Sequence, residues 1–181
     1  MFARTSRLLM RPGWPEDAPA LAQAIADETI VRNLADAPWP YGLAEASAFL
    51  AAPKDPVLPN LLLFARTDGA PELVGSCGLI RKPSGAVVLG YWIAREHWGR
   101  GYATEAGRQM IEIARTIGLD RLDASYFADN PASGRVLEKL GFLATGIRAA
   151  HYSCARGRDS EAILMRQNLA GGSSAAGALA A

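Results

Sequence analysis

Two glycines, Gly99 and Gly101, stand in the stretch HWGRGYATEAG between an apolar run at residues 86–93 and a segment whose apolar residues, Ala103, Ala106, Met110, Ile113 and Ile117, recur at helical spacing. A β-like run that passes through a glycine loop straight into an amphipathic helix dictates a strand-loop-helix unit, and the helix's single apolar face needs a sheet to lie on. The chain is thereby bound to a layered α and β architecture.

The flanks enlarge that unit. Upstream, β-like runs at 61–66 and 72–80 are separated from each other and from 86–93 by the stretches TDGAP (67–71) and KPSG (82–85), both turn-forming compositions, so an antiparallel meander is expected. Downstream, Gly118 stops the helix and residues 121–127 form another strand. Asn130 and Pro131 then open a second helix as cap and first-turn residue, with Val136, Leu137 and Leu140 turned inward and Gly141 ending it. Residues 142–148 and 162–168 read as closing strands. At the other end, residues 6–11 form a first strand halted by Pro12 and Gly13, and Glu16 and Asp17 favour a helix start, with the helix reaching about Ala26. Residues 27–52 read as a short helix, a bend through Pro38, Trp39, Pro40 and Tyr41, and a helix presenting Ala46, Phe49 and Leu50, a natural substrate wall.

The order β-α-α-β-β-β-α-β-α-β-β predicts an α+β (mixed α/β) fold: one domain at residues 1–169 on a twisted mixed sheet of about seven strands flanked by about four helices. Residues 170–181, made of Ala, Gly and Ser with a lone Leu179, offer almost nothing bulky to bury and are expected to be a disordered tail.

Composition narrows the partners. With 19 basic and 18 acidic residues the net charge of +1 supplies no field that gathers nucleic acid or anionic membrane, so a small molecule or a local protein surface is expected, with the chain a monomer or homodimer. Cys77 and Cys154 lack metal or redox spacing and are expected to be buried thiols in a reducing compartment; no metal site is expected. The N-terminal residues lack an export-type apolar stretch and no run is long enough to span a bilayer, which predicts a cytoplasmic location.

The glycine loop has the makings of an anion site: first-turn N–H groups and the positive helix end converge there, and residues without Cβ admit phosphate oxygens to the backbone. Arg95 and Arg100 add charge to the loop. A GxxxxGK[ST] loop is absent. A dinucleotide fingerprint fails because Thr104 occupies the third glycine's place, and Asp120 and Asp123 open the next strand instead of ending it. A pyrophosphate held beside antiparallel strands remains, with a plain packing turn as the alternative.

Three motifs in order, GYWI at 90–93, WGRGYATEA at 98–106 and NPAS at 130–133 followed by LEKLGF at 137–142, resemble the signature set of the GNAT acetyl-CoA-dependent N-acetyltransferases. Within that family they are similar to the branch containing the ribosomal-protein N-terminal acetyltransferases. The resemblance runs from Thr5 through Asp159. It implies acetyl-CoA as cosubstrate and, as acceptor, a primary amine: a protein N-terminal α-amine or a small amine-bearing metabolite or antibiotic. A non-catalytic acyl-CoA-binding module is the alternative.

Carried onto this chain, the resemblance makes Trp98, Gly99, Arg100, Gly101, Tyr102, Ala103 and Thr104 the pyrophosphate loop, with Trp98 replacing the usual Gln or Arg. Tyr91, Trp92 and Ile93 fall on the strand whose free edge pairs with pantetheine, and the Ile93 N–H becomes the oxyanion donor. Asn130 contacts the pantetheine arm or acetyl end, or serves only as a helix cap. The family's tyrosine acid is replaced by Leu137, which leaves Ser133, one turn beyond Asn130, as the group that protonates the thiolate. Where some relatives carry a glutamate base, Ser125 stands here. Among candidate bases, Glu105 sits where stabilising the helix dipole is its expected role, Glu45 lies near the substrate wall without further support, the loop of His97 belongs to the phosphate end, and His151 near the closing strands fits either surface or substrate placement. No base is assigned, with ordered water or an already neutral amine as the alternative.

Overall fold

A computed structural model describes residues 1–170; the expected tail lies, apart from Ala170, outside the described residues. The chain runs β1 (Ala3–Arg4), β2 (Leu8–Arg11), α1 (Ala18–Ile25), α2 (Glu28–Val31), α3 (Leu43–Ala51), β3 (Asn60–Ala65), β4 (Glu72–Arg81), β5 (Val87–Ile93), α4 (Tyr102–Thr116), β6 (Arg121–Phe127), α5 (Pro131–Lys139), β7 (Leu143–Ser153) and β8 (Arg158–Asn168), with short 3-10 turns at Pro15–Asp17 and Arg95–His97. The sheet has eight strands in the order β1-β2-β3-β4-β5-β6-β8-β7. Every pairing is antiparallel except β5 with β6, which the α4 crossover makes parallel.

Strand alternation decides what each face does. On β5, Val87, Leu89 and Ile93 enter a core with Ala106, Met110, Ile111, Ile113 and Ala114 of α4 and Leu137 of α5, and Tyr91 packs against it. On the other face, α1, α2 and α3 bury Leu21, Ile25, Ile30, Val31, Ala46 and Leu50 against Leu62, Phe64 and Leu73, with Trp92 at the margin.

The expected meander and crossover are present. The differences lie at the ends of the chain's strands. The two-residue β1 was not expected, and β7 and β8 run on to Ser153 and back to Arg158, well past the expected 142–148 and 162–168. The extension carries little apolar alternation: its pairs, such as Ala150 with Glu161 and His151 with Ser160, are held by the ladder and by a turn at Gly157, where φ is +61°. Cys77 is buried as expected, but Cys154, in that turn, is exposed because the hairpin tip has no core above it.

Candidate active site

A gap opens in the middle of the sheet. β5 and β6 share a single paired register, Val88 with Asp123, and diverge beyond it. Nothing on β6 then takes up the backbone groups of the C-terminal half of β5. The Ala94 N–H donates to Val74 C=O at 2.9 Å, so it faces β4, and alternation turns the N–H and C=O of Ile93 and Tyr91 the other way, into the gap. Gly75 permits this end of the ladder: a Cβ there would meet Trp92 O at 2.2 Å.

From Ala94 the chain passes through the 3-10 turn into the glycine loop. Gly99 and Gly101 have φ of +74° and +82°, the left-handed region that a side chain disfavours, and open space surrounds the missing Cβ of Gly99. Gly101 is the N-cap of α4 and no side chain caps that end, so the first-turn N–H groups at Tyr102, Ala103 and Thr104 face outward. The loop and the free edge of β5 are joined by Trp98, whose Nε1 donates to Ile93 C=O at 2.7 Å. Tryptophan in place of the family's Gln or Arg therefore ties the glycine loop to the strand end, a contact the sequence did not reveal.

The charges around this loop are arranged differently from expectation. Arg95 is drawn off to Asp27, 3.1 Å away, whose carboxyl is held below its usual range by Thr29's hydroxyl first and, against the opposing effect of burial, by Arg95. Arg7 takes its place. Its Nη1 donates to Arg100 C=O at 2.9 Å and its guanidinium lies 4.9 Å from the Tyr102 ring centre. Glu105 holds Arg7 there, accepting from Arg7 Nε at 2.7 Å, the Arg7 N–H at 2.9 Å, Thr5 Oγ1 at 2.5 Å and Ser6 Oγ at 3.1 Å. Burial would raise the Glu105 carboxyl, but these donors outweigh it and keep it below the usual range. No local signal marks Arg7, because its partners lie more than ninety residues away.

Across the gap stands α5. Asn130 caps it, Oδ1 accepting from the Ser133 N–H at 3.4 Å. Tyr91 reaches over from β5: its hydroxyl donates to Ser133 C=O at 3.1 Å and lies 2.9 Å from Ser133 Oγ. Burial pushes the Tyr91 hydroxyl up to about 12 against the lowering effect of that serine, so it stays protonated. Ser133 is thus one half of a hydroxyl pair, and Tyr91 contributes a side chain as well as its backbone.

The remaining candidates are dispersed. Glu45 accepts the Gly42 N–H at 2.9 Å and closes the start of α3. His97 is buried beneath the loop, edge-on to Tyr102, with both ring nitrogens lacking a hydrogen bond; Glu72 Oε1 stands 3.3 Å from Nε2, off the bonding direction. In the expected substrate wall, Trp39 is exposed, whereas Tyr41 is buried in the core under α3; Tyr152 on β7 is exposed as well. The β7–β8 hairpin tip is stitched to the segment after α2 and to the loop between β6 and α5: Cys154 N–H donates to Ala35 C=O at 2.9 Å, and Arg156, its side chain 6% exposed, donates to Arg32 C=O at 2.7 Å and to both Asp129 oxygens at 2.8 and 2.9 Å.

Among the described residues no helix is long and apolar enough to cross a membrane. The chain is 29% identical over 162 residues to the uncharacterized N-acetyltransferase p20 of Bacillus licheniformis, spanning 85% of this chain and 88% of that protein. Its fold is similar to RimL, a ribosomal L7/L12 alpha-N-protein acetyltransferase solved with coenzyme A (TM-score 0.75, 17% identical, covering 93% of this chain and 98% of that one). It is similar also to the microcin C7 self-immunity acetyltransferase MccE, solved with acetyl-CoA and AMP (TM-score 0.75, 16% identical, 91% and 93% covered). The family described as acetyltransferase (GNAT) domain matches residues 7–143, and with three quarters of the chain inside that match the protein belongs to the GNAT family and is an acetyltransferase.

Proposed function

We propose that the chain moves an acetyl group from acetyl-CoA to a primary amine, with the N-terminal α-amine of a protein as the favoured acceptor and a small amine-bearing metabolite or antibiotic as its competitor. The observation that carries this is the free edge of β5 opening directly beside a glycine loop at an uncapped helix start. An extended pantetheine arm fits the first and a pyrophosphate fits the second, where a Cβ at Gly99 or Gly101 would stand in its way. RimL, named for alpha-N-acetylation of a ribosomal protein, and MccE, named for self-immunity to microcin C7, share the fold.

In this reading residues 98–104 hold the pyrophosphate through backbone N–H groups, Arg7 and Arg100 add positive charge, and Tyr91, Trp92 and Ile93 offer the strand edge. The thioester supplies an activated acyl group and a thiolate leaving group. The Ile93 N–H faces the gap where charge develops on the carbonyl oxygen, and preorganised donors of this kind contribute about 3–4 kcal/mol. Ser133, backed by the Tyr91 hydroxyl, protonates the sulfur. Asn130 orders the helix that carries Ser133 and stands at the acetyl end.

The test is steady-state release of free CoA thiol from acetyl-CoA with a panel of N-terminal peptides and small amines. Turnover with peptides bearing a free α-amine is expected, and is lost when that amine is blocked. Tight CoA binding without turnover on any amine would leave a binding module and overturn the proposal.

A further inference from the structure

An amine that has attacked a carbonyl carbon carries positive charge until it sheds a proton, and the hydroxyls of Ser133 and Tyr91 are placed to donate, not to accept it. Glu105 and Glu45 are occupied by the donors named above, and His97 is sealed beneath the phosphate loop. The opposite bank of the gap holds a further group. On β6, Leu122 and Ala124 point into the core, so Ser125 faces the other side of the sheet, the side that Trp92 faces on β5. The β7–β8 hairpin curls over that side, and its attachment to the segment after α2 makes an arch: Ser153 Oγ lies within 3.1 Å of Arg32 C=O and 3.2 Å of Leu34 C=O, beside the Cys154 and Arg156 contacts. Under the arch the partly buried His151 brings Nδ1 to 3.5 Å from Ser125 Oγ.

Building on the acetyl-transfer reading above, we infer that His151 is the catalytic residue that takes the proton from the acceptor amine, with Ser125 positioning its ring. With Nδ1–H donating to Ser125 Oγ, Nε2 keeps its lone pair for the substrate. The nitrogen lone pair forms the C–N bond while the carbonyl π pair moves onto oxygen facing the Ile93 N–H. That pair then returns, the C–S bond breaks with its electrons on sulfur, sulfur takes the Ser133 proton, and the amine's proton passes to His151 Nε2. Solvent removes it from His151 and restores the serine, so amine and thioester become amide and thiol with nothing oxidised or reduced.

The charged groups on the elements around His151 are largely committed. Glu161 pairs with Arg148, Asp123 with Arg166, and Asp129 with Arg156 and Arg32; Asp159 and Arg158 stand at the hairpin's tip. The histidine–carboxylate pairs among the described residues both involve His97. His151 therefore stands outside the ion pairs of the described residues, with its Nδ1 turned to Ser125.

The experiment compares wild type with His151→Gln, His151→Ala and Ser125→Ala at saturating acetyl-CoA, recording kcat against pH, CoA affinity by calorimetry and melting temperature. The expected result is a fall in kcat of about 10²-fold in both His151 variants, with CoA affinity unchanged, the wild type's low-pH limb lost, and part of the rate restored to His151→Ala by added imidazole. Ser125→Ala, which keeps the imidazole, should lose less and give a measurement if the His151 variants fail to fold. Wild-type kcat and an intact low-pH limb in a folded His151 variant would overturn the inference, as would a loss that tracks CoA affinity and ignores imidazole; with misfolded His151 variants, wild-type kcat in Ser125→Ala overturns it. Absence of turnover by the wild-type protein on every amine would be the separate failure of the acetyl-transfer reading.

Discussion

Gly101 combines a φ of +82° with the N-cap position of α4, so a substitution there acts on backbone and site together. Gly101→Val should weaken CoA binding at least tenfold by calorimetry; unchanged affinity in a folded variant would remove the loop from the cofactor site. Ser133 and Asn130 separate in the opposite manner. A hydroxyl that donates to sulfur matters once thiolate charge has developed, so Ser133→Ala should lower kcat with little change in CoA affinity. Tyr91→Phe should lower kcat by a smaller factor, since it removes only the hydroxyl behind Ser133. Asn130→Ala removes a cap that is visible in the structure and should cost about 1 kcal/mol of stability, read from melting curves.

Among the elements, α4 depends on a corner of the chain far from it in sequence. Glu105 on its first turn gathers Thr5, Ser6 and Arg7 from the bend between β1 and β2. Glu105→Gln keeps the shape but removes the charge that holds Arg7, so it should cost on the order of 1 kcal/mol in stability and weaken CoA binding severalfold through loss of Arg7's placement. If calorimetry shows wild-type affinity, Arg7 does not contribute to the anion site. This corner also shows where sequence legibility stops. The helical spacing of Ala106, Met110 and Ile113 and the alternation on β5 announce their own burial, and the glycine loop announces its backbone. Contacts that join distant segments through single polar groups carry no periodicity: Arg7 with Glu105, Trp98 with Ile93 and Arg156 with Asp129 each became visible only in three dimensions. The outer half of the β7–β8 hairpin was missed for a related reason, its exposed residues having no core face to alternate against.

For the molecule as a whole, acid sensitivity follows from its carboxylates. Asp17 would be raised by burial, but Arg11, bonded to both its oxygens at 2.7 Å, and the Trp14 N–H hold it below its usual range; Asp129 is lowered chiefly by Arg156. A carboxyl lowered in the folded state binds its proton more readily when unfolded, so these pairs stabilise fully above the ordinary carboxylate range near about pH 4 and lose that contribution as pH falls through the lowered values. Melting temperature should therefore be flat from neutrality to about pH 5 and drop below about pH 4; Asp17→Asn, with its partly buried partner Arg11 left unpaired, should melt lower at pH 7 and flatten the acid limb. The sheet itself is nearly two sheets, β1 to β5 and β6 to β8, sharing the one rung between Val88 and Asp123. A molecule lying along the edge of β5 and against α5 supplies the missing rungs and acts as a mortar between two leaves. Its signature is collective: at a ligand concentration a hundredfold above Kd it adds about 2.7 kcal/mol to the whole fold, and amide exchange slows on β5 and β6 together, on strands whose ladder otherwise holds a single rung.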